Sequence, residues 1–126
     1  MYSETLWDHY HSPYNNHKPT QFEARARKVN PICPDILELF AQVQTSGRIA
    51  EIYFLAEACP PVLAVASLLC RWAQGREVLE LARLKQQDLA DWIGPLPPNK
   101  GHALLLVHLA LQELLAEPAI KVYTDK

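Results

Sequence analysis

Apolar and polar residues alternate with a period of two over residues 36–44, where Leu37, Leu39, Ala41 and Val43 share one face and Glu38, Gln42 and Gln44 lie on the other. That period predicts a β-strand with one buried face. A second strand is predicted over residues 48–58, with Ile52, Phe54, Ala56 and Ala58 inward, and Ser46-Gly47 supplies the turn chemistry that joins the two as a hairpin. The alternation then gives way to EACPPVLAVASLLCRW, residues 57–72, which leaves no polar stripe wide enough for a solvent face and predicts a core helix starting at about Val62. Pro60 and Pro61 suit its entry, because their φ is already near the helical value and they have no N–H to satisfy. Cys59 sits just ahead of the first turn, where orphan N–H groups and the helix dipole are expected to favour thiolate over thiol.

Elsewhere the pattern is shorter in range. Ser3 can cap a first helix in which Leu6, Trp7 and Tyr10 share a face, and Ser12-Pro13 stops it. A polar loop over 14–21 leads to a short alternating strand over 23–29. Beyond the core helix, Gly75 is a stop, helical pieces are predicted over 77–84 and 87–93, and Gly94-Pro95-Leu96-Pro97-Pro98 is read as an extended, stiff loop. A last helix runs from Lys100 or Gly101 to Glu117 and is closed by Pro118, with His102 in its first turn.

Composition narrows the function classes. A chain of 126 residues with 49% hydrophobic and 21% charged residues describes one ordinary domain, residues 1–126. The net charge of −2, with basic residues scattered apart from Arg25, Arg27 and Lys28, leaves no footprint for nucleic acid. No apolar run has the length of a membrane span and no signal pattern opens the chain, so a cytoplasmic protein with no membrane partner is expected. Three cysteines, Cys33, Cys59 and Cys70, do not make a disulfide framework; reduced thiols or metal ligands fit better.

The hairpin also carries a geometric expectation. With the turn at Ser46-Gly47, opposed residues have numbers summing to about 93, which pairs Asp35 with Ala58 and brings Cys33 and Cys59 together at the open end. Two thiols and a carboxylate converge there, either as metal ligands or as two small buried residues beside a turn aspartate. Cys70 lies roughly 16 Å along the helix from Cys59 and is read as a core residue. His102 is a capping or packing residue unless other donors reach it, His108 is a packing residue, and His9, His11 and His17 are read as surface residues.

Taken in order, Asp8-His9-Tyr10 with Pro13 and Asn15, Cys33-Pro34-Asp35, Ala58-Cys59 opening a helix that ends Arg71-Trp72, and Leu96-Pro97-Pro98-Asn99-Lys100-Gly101-His102 resemble the IscU/NifU-type iron-sulfur cluster assembly scaffolds along nearly the whole chain. The resemblance implies an α+β fold, helix-strand-strand-strand and then helices, with a three-stranded antiparallel sheet packed by helices. It implies a non-enzymatic scaffold or carrier that holds a labile [2Fe-2S] cluster or Zn²⁺, with Cys33, Asp35, Cys59 and His102 on the family's ligand positions. Cysteine desulfurase and other assembly proteins are the implied partners. Leu96, Pro97, Pro98 and Lys100 match the stretch read by an Hsp70-type chaperone, but Asn99 replaces its valine and weakens that expectation. The family's third cysteine is here Ala103, and the glycines beside the first two cysteines are lost to Pro34, Ala58 and Pro60. Those departures support the alternative of a degenerate paralogue acting as an interaction or sulfur-transfer module with a cysteine desulfurase.

Overall fold

The computed structural model describes residues 2–31 and 34–125. The chain runs α1 (Glu4–His11), β1 (Ala24–Asn30), β2 (Asp35–Val43), β3 (Ile49–Glu57), α2 (Pro60–Ala73), α3 (Val78–Ala82), α4 (Gln86–Ile93), α5 (His102–Leu115) and α6 (Pro118–Lys121). The strands form one antiparallel sheet in the order β1-β2-β3, and helices cover one of its faces, α2 against β3 and α5 against β1 and β2. This is the α+β architecture expected from the sequence.

The expected register holds along most of the hairpin. From Ile36↔Glu57 to Gln42↔Glu51 the observed pairs keep the anticipated constant sum, and a one-residue irregularity between Gln42 and Val43 then shifts the pairing to Val43↔Ile49. Its cause is the turn. The Gln44 N–H donates to the Arg48 carbonyl and the Gly47 N–H to the Gln44 carbonyl, so three residues, Thr45, Ser46 and Gly47, make the connection. Gly47, at φ +87°, takes the left-handed conformation that a three-residue hairpin requires at its last turn position.

The inward face of the sheet is apolar as predicted: Leu37, Leu39, Ala41, Ile52 and Phe54 are fully buried against Val62, Val65, Ala66 and Leu69 of α2 and Ala103, Val107 and Leu111 of α5. The outward face departs from a simple polar alternation at Phe40, which is also fully buried. The loop before β1 doubles back over it, placing the Phe22 ring edge-on at 5.1 Å and the Lys18 ammonium 5.9 Å from the ring centre. The same loop braces the free rim of β3: Asn15, in the left-handed conformation at φ 57°, accepts the Phe54 N–H and donates its side-chain amide to the Ile52 carbonyl.

Ser3 caps α1 as expected, its hydroxyl accepting the Leu6 N–H. The second helix begins slightly earlier than predicted, with Cys59 at the N-cap and Pro60 and Pro61 in its first turn. Two proline readings need correction. Pro98 opens a 3₁₀ turn over Pro98–Lys100 instead of extending the loop, and Pro118 both ends α5 and starts α6. In each case the fixed φ of proline suits a first helical position as well as it suits a break.

Candidate metal centre

The open end of the β2–β3 hairpin faces the first turns of α2 and α5, and three side chains meet there. Asp35 opens β2, Cys59 is the N-cap of α2, and His102 is the first residue of α5. Asp35 is buried and Cys59 and His102 are half-buried. Asp35 is fixed by the Cys59 N–H, which donates to its Oδ1 at 3.1 Å and leaves Oδ2 directed at the other two groups. Oδ2 lies 3.0 Å from His102 Nε2 and 3.7 Å from Cys59 Sγ, and Sγ lies 3.7 Å from Nε2.

One carboxylate oxygen, one sulfur and one imidazole nitrogen therefore lie within 4.8 Å of one another. A tetrahedral Zn²⁺ with bonds of about 2.0 to 2.3 Å sets its donor–donor edges at roughly 3.3 to 3.6 Å, so the O, S, N triangle is close to one face of that tetrahedron. The fourth position needs a further donor. The expected one, Cys33, and with it the predicted approach of Cys33 to Cys59, lies outside the described residues. Ala103, at the position of the family's third cysteine, is fully buried in the core beneath the sheet and its side chain does not join the donors.

The electrostatics correct one expectation. Cys59 was expected to favour thiolate at the helix start, yet its thiol is pushed above the ordinary value. Partial burial is the main cause, and the Asp35 carboxylate adds to it; the Val62 N–H in the first turn and the Lys100 ammonium act the other way without overcoming them. Lys100 belongs to the stretch that resembles the chaperone-recognition motif. Its position two residues before His102 was the available signal that its charge would fall beside the thiol.

The remaining candidates sort cleanly. Cys70 is fully buried in α2 and its thiol is strongly disfavoured from ionising by that burial. His108 lies against the Leu84 carbonyl at 3.1 Å, a packing role. His9 is not a plain surface residue: it is half-buried, with Nδ1 2.8 Å from the hydroxyl of the buried Ser67, which also accepts the Tyr14 N–H at 2.7 Å. A serine within the apolar run of residues 62–70 was the sign that something polar had to reach it. Leu96 and Pro97 are half-buried and Pro98 and Asn99 exposed, while Arg25 and Lys28 are paired with Glu38 and Glu113. Among the described residues no helix is long and apolar enough to cross a membrane.

Known proteins share the family and the fold. A family model described as the NifU-like N terminal domain matches residues 1–126. The iron-sulfur cluster assembly scaffold protein IscU of Escherichia coli K12 is 30% identical over 122 residues, covering 92% of each chain. The iron-sulfur cluster assembly enzyme IscU of Drosophila melanogaster is 29% identical over 124 residues, 96% of this chain and 80% of its own. Among solved structures, the N-terminal part of a nitrogen-fixing NifU-like protein from Brucella abortus superposes with a TM-score of 0.75 at 14% identity, covering 95% of this chain and 94% of that one. FiSufU from Fervidobacterium islandicum gives 0.74 at 18%, covering 90% and 96%. At such identities the two structures speak for the fold.

Proposed function

The chain belongs to the NifU-like N-terminal domain family, and from that premise we propose that it is a non-enzymatic iron-sulfur cluster assembly scaffold or carrier whose cargo is held by Asp35, Cys59 and His102, with Cys33 as the fourth donor. The observation that carries this reading is the convergence of the three donor atoms at the open end of the hairpin. A set with two thiolates, one carboxylate and one imidazole matches tetrahedral Zn²⁺ directly, whereas [2Fe-2S] clusters usually take four thiolates. The protein is therefore proposed to hold zinc stably and a [2Fe-2S] cluster only in labile form.

Each residue has a stated part. Cys59 loses its proton on binding and becomes the thiolate donor, Asp35 offers Oδ2 while its Oδ1 stays on the Cys59 N–H, and His102 presents Nε2 as a neutral donor. Binding releases protons, so affinity falls as the pH drops. A sulfur donor of the cysteine desulfurase class is the partner that cluster building would require. The second reading, an interaction or sulfur-transfer module toward such a desulfurase, draws on the buried Ala103 at the third cysteine position and the half-buried thiol of Cys59.

Zinc titration against a chelator and anaerobic reconstitution followed by visible spectroscopy separate the two. The scaffold reading expects about one zinc per chain and a weak, labile cluster spectrum. A robust spectrum that survives His102→Ala sinks the four-donor assignment, and metal retained by the Cys33→Ala, Cys59→Ala double variant leaves the module reading as the better account.

A further inference from the structure

Between β1 and α5 lies a cavity of about 450 Å³, within the range of small-molecule sites. Its walls are mainly apolar, from Val29, Leu105, Leu106 and Leu109. Two of these side chains, Val29 at 42% and Leu105 at 47%, are among the most exposed large hydrophobic groups of the described residues. Isolated exposure of such side chains would need no explanation, but a concave cluster of them does.

The polar groups at this cavity are mixed, and its two titratable ones already face carboxylates, Lys28 facing Glu113 and His102 facing Asp35. Lys28, His102, Asn30 and Asn99 line it, and no carboxylate among the described residues does. Lys28 is bound to Glu113 at 2.8 Å, but an ammonium has three donors and can serve a second acceptor. Apolar walls with a cation and amides at one side complement a molecule with an aliphatic body and an anionic head. A neutral apolar molecule would leave the spare Lys28 donors without a second acceptor.

We infer that this cavity is a binding site for a small amphiphilic anion, a medium-chain aliphatic carboxylate, with its tail along Leu105, Leu106 and Leu109 and its head toward Lys28. His102 belongs both to this wall and to the donor cluster, so the ligand would lie beside the metal centre without using Asp35 or Cys59.

The test is a two-dimensional NMR titration of metal-free protein with decanoate, and because no metal is present it succeeds or fails independently of the metal reading. Saturable shifts confined to residues 28–31 and 99–109 are expected. Leu105→Glu, which puts a charge into the apolar wall, should lower affinity by about tenfold or more, and Leu105→Ala by less. Lys28→Met should weaken decanoate while leaving decanol unchanged. Scattered or non-saturating shifts overturn the proposal, as does decanol binding as tightly as decanoate to the unsubstituted protein. Concentration-dependent dimerisation that Leu105→Glu abolishes would show instead that this face is a contact between copies of the chain.

Discussion

The two ends of the β2–β3 hairpin are built from the same pairing and do opposite things. The turn end is closed by backbone: Gln44 with Arg48, Gly47 with Gln44, and the Val78 N–H on the Gly47 carbonyl, with the Tyr123 ring packed over Gly47. The open end is left without a turn, and the space so freed is where a strand start, a helix N-cap and a helix first turn deliver Asp35, Cys59 and His102. Register transmits position from one end to the other, while the three candidate donor atoms gather at the end where the chain diverges. Stability and ligand binding should therefore separate by location.

Substitutions can break that separation or sharpen it. The largest effect is expected from Cys59→Ala, which removes the sulfur donor and should abolish measurable zinc binding in a chelator competition while leaving the circular dichroism spectrum intact; His102→Ala should weaken binding, and Cys70→Ala should leave it unchanged. Phe54→Ala, in the middle of the hairpin, should cost about 3 to 5 kcal/mol in denaturant unfolding, because it empties a fully buried aromatic site. Gly47→Ala should cost about 1 kcal/mol or more by the same measurement, since a Cβ there meets Tyr123 at 3.0 Å and the backbone stays left-handed. Zinc affinity should not follow it. If zinc affinity falls in step with stability in Gly47→Ala, the two ends are coupled and the contrast fails.

A pH measurement sharpens the open end further. The Cys59 thiol of the metal-free protein is held above the ordinary value of 9.0, first by burial and then by Asp35. Its neutral form is thus the one the fold favours, a stabilisation present below the unfolded pKa and lost as the pH rises through the folded one. Alkylation by iodoacetamide in a Cys33→Ser background should show a midpoint above that of a free thiol, and Asp35→Asn should bring it down. A midpoint below the free-thiol value would mean that the helix start dominates after all. The smallest effect is expected from Arg25→Ala, whose bridge to Glu38 at 2.6 Å is partly exposed and contributes roughly 0 to 1 kcal/mol.

The contrast between the ends also explains what the sequence made legible. Strand periods, turn residues and the apolar run of α2 are local signals, and the constant pairing sum carries them as far as Ile36↔Glu57, next to Asp35; the expected Asp35–Ala58 pair is not formed, and Asp35 meets Cys59 through its side chain instead. His102 needed motif order, since nothing in its own helix distinguishes it from His108. What stayed hidden were contacts between distant segments with no shared period: Phe22 and Lys18 over Phe40, and His9 on Ser67. The raised Cys59 thiol was hidden for a related reason. The approach of Asp35 follows from the hairpin register, but the burial that is the main cause of the shift depends on how the other elements pack.

Asn15 bears on the free rim of the sheet. A sheet rim with unpaired backbone groups is a template on which another chain can add a strand. By accepting the Phe54 N–H and donating to the Ile52 carbonyl, Asn15 occupies the middle of the β3 rim with groups too short to propagate a ladder. Asn15 thus gives backbone partners to the middle of a nine-residue strand, Ile49–Glu57, whose free rim would otherwise be open there.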